Sequence, residues 1–129
     1  MTEFWDACDA NFNKIEGMTL VRGEPVPRGM LHLVCDVTVR HTDGTYLLMQ
    51  RDPQKHYGGL WEATAGGSAL QGETPLACAI RELREETGYA VKRRPDGTPM
   101  LRVLPACSTA SIISATTADA VGSFPAPGP

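Results

Sequence analysis

The sequence predicts a single α/β domain, and three observations carry the prediction. Strand-length apolar runs bounded by turn residues fill most of residues 3–67, and one stripe of helical period follows at 75–87. A chain of 129 residues is long enough for one hydrophobic core and short for two. With 42% apolar and 21% charged residues, the composition is that of a soluble globular protein rather than a disordered one.

The elements follow in order. "EFWDACDANFNKIEGMTLVR" (3–22) reads as a leading hairpin turned at "DANFN", whose Asp and Asn residues suit a turn. "RGEPVPRG" carries two prolines and two glycines and reads as an irregular connector. "LHLVCDVTVR" (31–40) and "TYLLMQR" (45–51) are strands flanking "HTDG", where Asp43-Gly44 tolerates the positive φ of a tight hairpin. The loop "DPQKHYGG" leads to a short strand "LWEATAGG" (60–67) ending in a glycine pair. A helix is bounded by Thr74 as cap, Pro75 at the first helical position and Gly88 as the left-handed stop. Leu76, Ile80, Leu83 and Thr87 are its expected buried stripe. "YAVKRR" is then a strand, "PDGT" a turn and "MLRVLPA" a strand. From Cys107 the chain is rich in Ser, Thr, Ala, Gly and Pro, with Asp119 its sole charge. A weakly structured tail with a short ordered piece at 111–121 is expected there.

The formal net charge of −3 gives no support to a nucleic-acid or membrane surface as the main partner. "MTEFWDACDA" lacks both a basic n-region and an apolar run, so no secretory signal is expected and the cytoplasm is the expected location. Cys8, Cys35, Cys78 and Cys107 are widely spaced and form no C-x-x-C pair, which fits reduced thiols better than a zinc site or a disulfide framework.

Glu82, Glu85 and Glu86 lie at i, i+3 and i+4 and converge on one helix face, opposite the apolar stripe. Like charges so close repel, and a divalent cation between them turns repulsion into attraction. Magnesium prefers oxygen ligands and is typically held by a few carboxylates with water and substrate phosphates. A solvated charged face is the plain alternative for an isolated E-x-x-E-E triplet. The surrounding spacing decides between them. From Gly67 the chain runs five residues to Glu73, seven more to Arg81-Glu82-Leu83, then one residue to Glu85-Glu86 and one to Gly88-Tyr89.

This pattern resembles the Nudix hydrolase signature, G-x5-E-x7-R-E-U-x-E-E-x-G-U, at every position, with U a bulky apolar residue. At average residue usage a chance match in a chain of this length is on the order of 10⁻⁷. The resemblance implies an α/β/α sandwich with a mixed sheet and a loop-helix-loop that binds Mg²⁺ or Mn²⁺. It also implies hydrolysis of a nucleoside diphosphate linked to another moiety, or of a related small-molecule diphosphate. By the same resemblance Glu82, Glu85 and Glu86 fall on metal-binding and base positions, and Glu82 or Glu85 doubles as the base. Arg81 falls on the arginine that orients a glutamate, and Glu73 on the glutamate that supports the loop. Gly66 and Gly67 match the glycine pair that comes close to metal and helix, with Gly66 counted among the metal-binding residues. Gly88 closes the motif.

Upstream, "WDACDANFNKIEGMTLVRGEPVPRGMLHLV" and "GGLWEATAGGSALQGE" resemble Nudix proteins related to isopentenyl-diphosphate isomerase. Those isomerases need a reactive cysteine near the position of Trp61, where this chain has "GLWEATAGG", so hydrolysis is preferred. Arg51 and Lys55 are candidate phosphate donors. His32, at a position where the isomerases carry a metal ligand, is expected to be a hydrogen-bonded packing residue, and Trp61 to fill the core. Residues 1–106 are expected to form the Nudix domain, with its signature at 67–89, and 107–129 an atypical tail. A domain incomplete at its carboxyl end follows, because no glutamate occurs after Glu86 and large apolar residues thin out after Leu104. The alternative to hydrolysis is a non-catalytic Nudix binding module. A homodimer is a further expectation, since an open sheet edge favours pairing.

Overall fold

The structure, a computed structural model, describes residues 1–41, 43–100, 102–103 and 112–120. Its centre is β3 (Val34–His41), whose burial alternates along the strand. Cys35, Val37 and Val39 are buried on one face, while Asp36 and Thr38 lie between them on the other, as the two-residue period of a strand requires. β4 (Tyr46–Leu47) and β7 (Ala65–Ser68) pair antiparallel with successive halves of one edge of β3. β9 (Ile112–Ala120) pairs parallel with the other edge, and β8 (Arg102–Val103) pairs antiparallel with β9. The result is a mixed five-stranded sheet. β1 (Phe4–Cys8) and β2 (Lys14–Val21) form a separate hairpin, and β5 (Met49–Gln50) with β6 (Trp61–Glu62) a short two-stranded ribbon.

The helix α1 (Pro75–Thr87) covers the apolar face of β3 and β7. Thr74 caps it by accepting from the Ala77 N–H at 3.1 Å, and Gly88, at φ 76°, ends it in the left-handed conformation. Cys78, Ala79 and Leu83 pack against Cys35, Val37, Val39, Ala65 and Ala69. Small residues at 78 and 79 let the helix axis approach the sheet closely. The register Cys35↔Gly67 continues this theme, because the glycine leaves room beneath the helix. Where the strand after β3 breaks, Thr64 ties the ends: its hydroxyl donates to the Leu47 carbonyl and accepts from the Val39 N–H. The hairpin has its own small core of Trp5, Ala7 and Leu20. It grips the loop before the helix, since Phe4 O accepts from Gln71 N at 2.9 Å and Asp6 Oδ2 accepts from Gly72 N at 2.8 Å.

The structure differs from the sequence reading at named places. The helix buries Cys78, Ala79, Glu82 and Leu83, whereas Leu76, Ile80 and Thr87 lie at its flanks and are half-buried. The expected strands at 45–51 and 60–67 are each divided, because their two parts pair with different partners: β4 and β7 with β3, β5 with β6. The expected strand at 89–94 is reduced to one bridge, Arg93↔Pro99, flanked by hydrogen bonds from Arg94 N to the Thr98 carbonyl and from Met100 N to the Lys92 carbonyl. "MLRVLPA" keeps two strand residues, and residues 104–106 of it lie outside the described residues. The ordered piece expected at 111–121 is β9, a nine-residue strand with β-branched residues at 112, 113, 116 and 117 that completes the second edge of β3. Residues 104–111 and 121–129, and with them Cys107 and most of the expected weak tail, lie outside the described residues. Among the described residues no helix is long and apolar enough to cross a membrane.

Leu83, 1% exposed at the centre of the helix–sheet contact, gives a direct test of this packing. Leu83→Ala is expected to lower the unfolding free energy by about 2–5 kcal/mol, measured by urea denaturation, through lost burial and the cavity left behind.

Candidate active site

Arg81 gathers the signature residues. Its Nε and Nη2 donate to the two oxygens of Glu73 at 2.6 and 2.9 Å, a bidentate pair. Nη1 donates to Glu82 Oε1 at 2.7 Å and to Glu85 Oε2 at 3.2 Å, and Nη2 also reaches the Ser68 carbonyl at 3.0 Å. Glu73 Oε2 accepts in addition from the Leu70 N–H at 2.9 Å, which closes the loop over the helix start. The guanidinium holds the Glu73 carboxyl below the ordinary glutamate range. Glu82 is 9% exposed; burial pushes its carboxyl up, and the hydrogen bond from Arg81 opposes the rise. The sequence reading set Glu82 with Glu85 and Glu86 on the face opposite the apolar stripe; unlike those two it is one of the helix's buried residues, turned under the glycine pair.

The glycines earn their positions sterically. A Cβ on Gly67 would collide with the Glu82 carboxylate, and one on Gly66 would lie 2.5 Å from Asp36 Oδ1. The Gly66 N–H points away from β3 and donates to Glu86 Oε2 at 3.1 Å. Glu85 and Glu86 themselves are exposed.

Two adjoining hollows share Gly66, Gly67, Glu86 and Arg22 and form one open cleft along this edge. One, of about 500 Å³, runs under the amino-terminal hairpin past Trp5, His32, Arg81 and Glu85. The other, of about 360 Å³, is lined by Arg51, Lys55, Glu62 and Asp36. Arg51 donates to Glu62 Oε2 at 3.1 Å and to the His56 carbonyl at 2.6 Å, so it is braced at the cleft wall. Arg22 is held by Glu3, whose other oxygen accepts from the Trp5 indole at 2.8 Å. Asp36 is the residue the sequence reading missed. Its signal was present in the alternation of β3: a carboxylate between buried Cys35 and Val37 must face away from the core. Burial and the nearby Glu62 push its carboxyl up.

The structure therefore brings Gly66, Gly67, Glu73, Arg81, Glu82, Glu85 and Glu86 together, with Arg51 and Lys55 across the cleft from the helix and Gly88 at the helix end. Two expectations need correction. Trp61 is 66% exposed, because β6 sits in the outlying ribbon rather than in the sheet. His32 packs, stacked on Trp5 with ring centres 4.0 Å apart, but among the described residues its buried Nδ1 has no hydrogen-bond partner, and burial pushes its imidazole pKa down. Among the described residues no three His, Cys, Asp or Glu side chains already stand at ligand spacing, since Arg81 draws Glu82 and Glu85 and the Gly66 amide draws Glu86. The donor set still fits a hard divalent cation: carboxylate oxygens gathered around a glycine backbone edge that no Cβ obstructs.

Comparison with known proteins gives the family and the fold. Residues 30–109 match the NUDIX domain family model. The chain is 38% identical over 90 residues to the uncharacterized Nudix hydrolase lmo0368 of Listeria monocytogenes, covering 69% of this chain and 53% of that protein. It is 33% identical over 93 residues to an isopentenyl-diphosphate Delta-isomerase of Serratia proteamaculans, covering 71% and 51% respectively. The chain thus spans about half the length of these relatives. Among solved structures, DR0079 from Deinococcus radiodurans superposes with a TM-score of 0.69 over 92% of this chain and 74% of that one, at 20% identity, and so shares the fold. With the family model covering 80 of the 129 residues, and the glycine pair, arginine and glutamates of the signature assembled at one cleft, the chain belongs to the Nudix family.

Proposed function

We propose that this protein hydrolyses a diphosphate linkage in a nucleoside diphosphate joined to another group, or in a related small-molecule diphosphate, with Mg²⁺ or Mn²⁺ as cofactor. The observation that carries the reading is the Arg81 network, which holds Glu82 and Glu85 beside a cleft whose far wall presents Arg51 and Lys55. The hollow that Arg51 and Lys55 line is shared with Glu86, so basic and acidic groups border one open space.

Arg51 and Lys55 bind the phosphates as charge-assisted donors. Glu82, Glu85 and Glu86, with the Gly66 backbone, hold the cation. When bound, the cation polarises a phosphoryl oxygen and lowers the pKa of the attacking water. Glu85 or Glu82 takes the proton from that water as it attacks phosphorus, and the bridging P–O bond breaks to release two phosphorylated fragments. Arg81 keeps the base oriented, so that the geometry is prepaid before substrate arrives. The relative named as an isomerase does not change this reading. Among the described residues no cysteine lines either part of the cleft, and the segment around Trp61 where the isomerase resemblance requires a thiol has none in its sequence.

The test is release of phosphorylated product from a panel of nucleotide and isoprenoid diphosphates with Mg²⁺. Glu85→Gln is expected to lower kcat/KM by roughly 10²-fold or more. Absence of product from every substrate in the panel would overturn the hydrolase reading.

Arg81→Lys is expected to cost about 2 kcal/mol of stability at neutral pH, measured by thermal melting, because an ammonium cannot replace the bidentate fork on Glu73. The low folded-state pKa of Glu73 sets the sign of the pH dependence. Its contribution is present above the ordinary glutamate pKa and is lost as pH falls through the folded value, so the difference between wild type and Arg81→Lys should shrink in acid.

A further inference from the structure

We propose that Asp36, on the strand side of the cleft, is a further carboxylate ligand of the divalent cation carried by the Glu86–Gly66 edge. The inference rests on the cation-dependent reading above and extends it to a residue outside the signature.

Three observations lead to it. The β3–β7 register sets Asp36 directly opposite Gly66, and the Gly66 amide in turn meets Glu86, so the two carboxylates flank one glycine. The missing side chain at Gly66 keeps open the space into which Asp36 Oδ1 projects; a methyl group there would be 2.5 Å from that oxygen. Finally, Asp36 is half-buried, yet among the described residues it receives no hydrogen bond and forms no ion pair. The charged neighbour that acts on it is Glu62, which repels it, and the two guanidiniums that line the same hollow are paired elsewhere, Arg51 with Glu62 and Arg22 with Glu3.

A half-buried carboxylate without donor or counter-ion is costly unless a cation compensates it. Its position suits a cation better than a phosphate, which it would repel. A ligand from the sheet would also fix the cation against a rigid element, whereas Glu85 and Glu86 reach it from an exposed helix face.

The experiment is titration of the purified protein with Mn²⁺ alone, free Mn²⁺ being read by electron paramagnetic resonance. Asp36→Asn is expected to weaken binding about tenfold, on the scale seen when carboxylates around a metal are removed. The metal-free melting temperature should not fall, since an unpaired charge has been neutralised. As a measurement independent of any substitution, Mn²⁺ should broaden the Asp36 carboxyl ¹³C resonance of the wild type together with that of Glu86. Unchanged Mn²⁺ affinity in Asp36→Asn, or a sharp Asp36 signal beside a broadened Glu86 signal, overturns this inference and leaves the proposed function standing. A wild type that binds no Mn²⁺ overturns both.

Discussion

One guanidinium organises this molecule's chemistry. Arg81 is a single side chain with donors fixed in a plane, and it satisfies Glu73 in a bidentate pair, Glu82 and Glu85 through one nitrogen, and the Ser68 carbonyl through another. Those four partners come from three stretches: the loop before the helix, the helix itself and the glycine strand. Without a cation on that face the three carboxylates would repel one another and a buried Glu82 would be costly. With it, loop, helix and strand are locked in one geometry. The planar fork matters as much as the charge, because a point charge could not meet two oxygens of Glu73 and still reach the others.

That lock works only because the backbone comes close at Gly66 and Gly67. The sheet register then divides labour between two faces. Residues 35, 37 and 39 point into the helix-covered core, while Asp36 points into the cleft. The glycine pair sits at the boundary: Gly67 lies against Glu82 on the helix side and Gly66 against Asp36 on the cleft side. Core packing and site geometry thus share the same four strand residues of β7, so a side chain added there would disturb both. The amino-terminal hairpin adds a third wall. Its hydrogen bonds to Gln71 and Gly72 fasten it to the loop that Glu73 closes, and Glu3 holds Arg22 at the cleft.

Much of this was legible in the chain. The helix ends agree with Thr74, Pro75 and Gly88, because capping is a local matter of side-chain reach and backbone φ. β3 was visible as a strand through its apolar residues. The illegible parts are all nonlocal. Glu82 is buried because the glycine strand covers it and Arg81 compensates its charge; helix periodicity alone grouped it with Glu85 and Glu86 opposite the apolar stripe. Trp61 is exposed because its two-residue strand pairs with β5 and stands outside the main sheet. The tail composition disguised β9, whose small and β-branched residues become a strand only when the open edge of β3 offers a ladder of hydrogen bonds.

The sequence by itself determined the family motif, the helix with its boundaries, and which carboxylates stand at the motif's positions, because these depend on spacing along a few turns of chain. The tertiary structure alone decided how the charges are shared: which glutamates Arg81 takes, which one meets the Gly66 amide, and that Asp36 stands across from it without a partner among the described residues. Those outcomes depend on distances between segments joined by sheet register, and electrostatic interaction is set by distance and burial rather than by order in the chain.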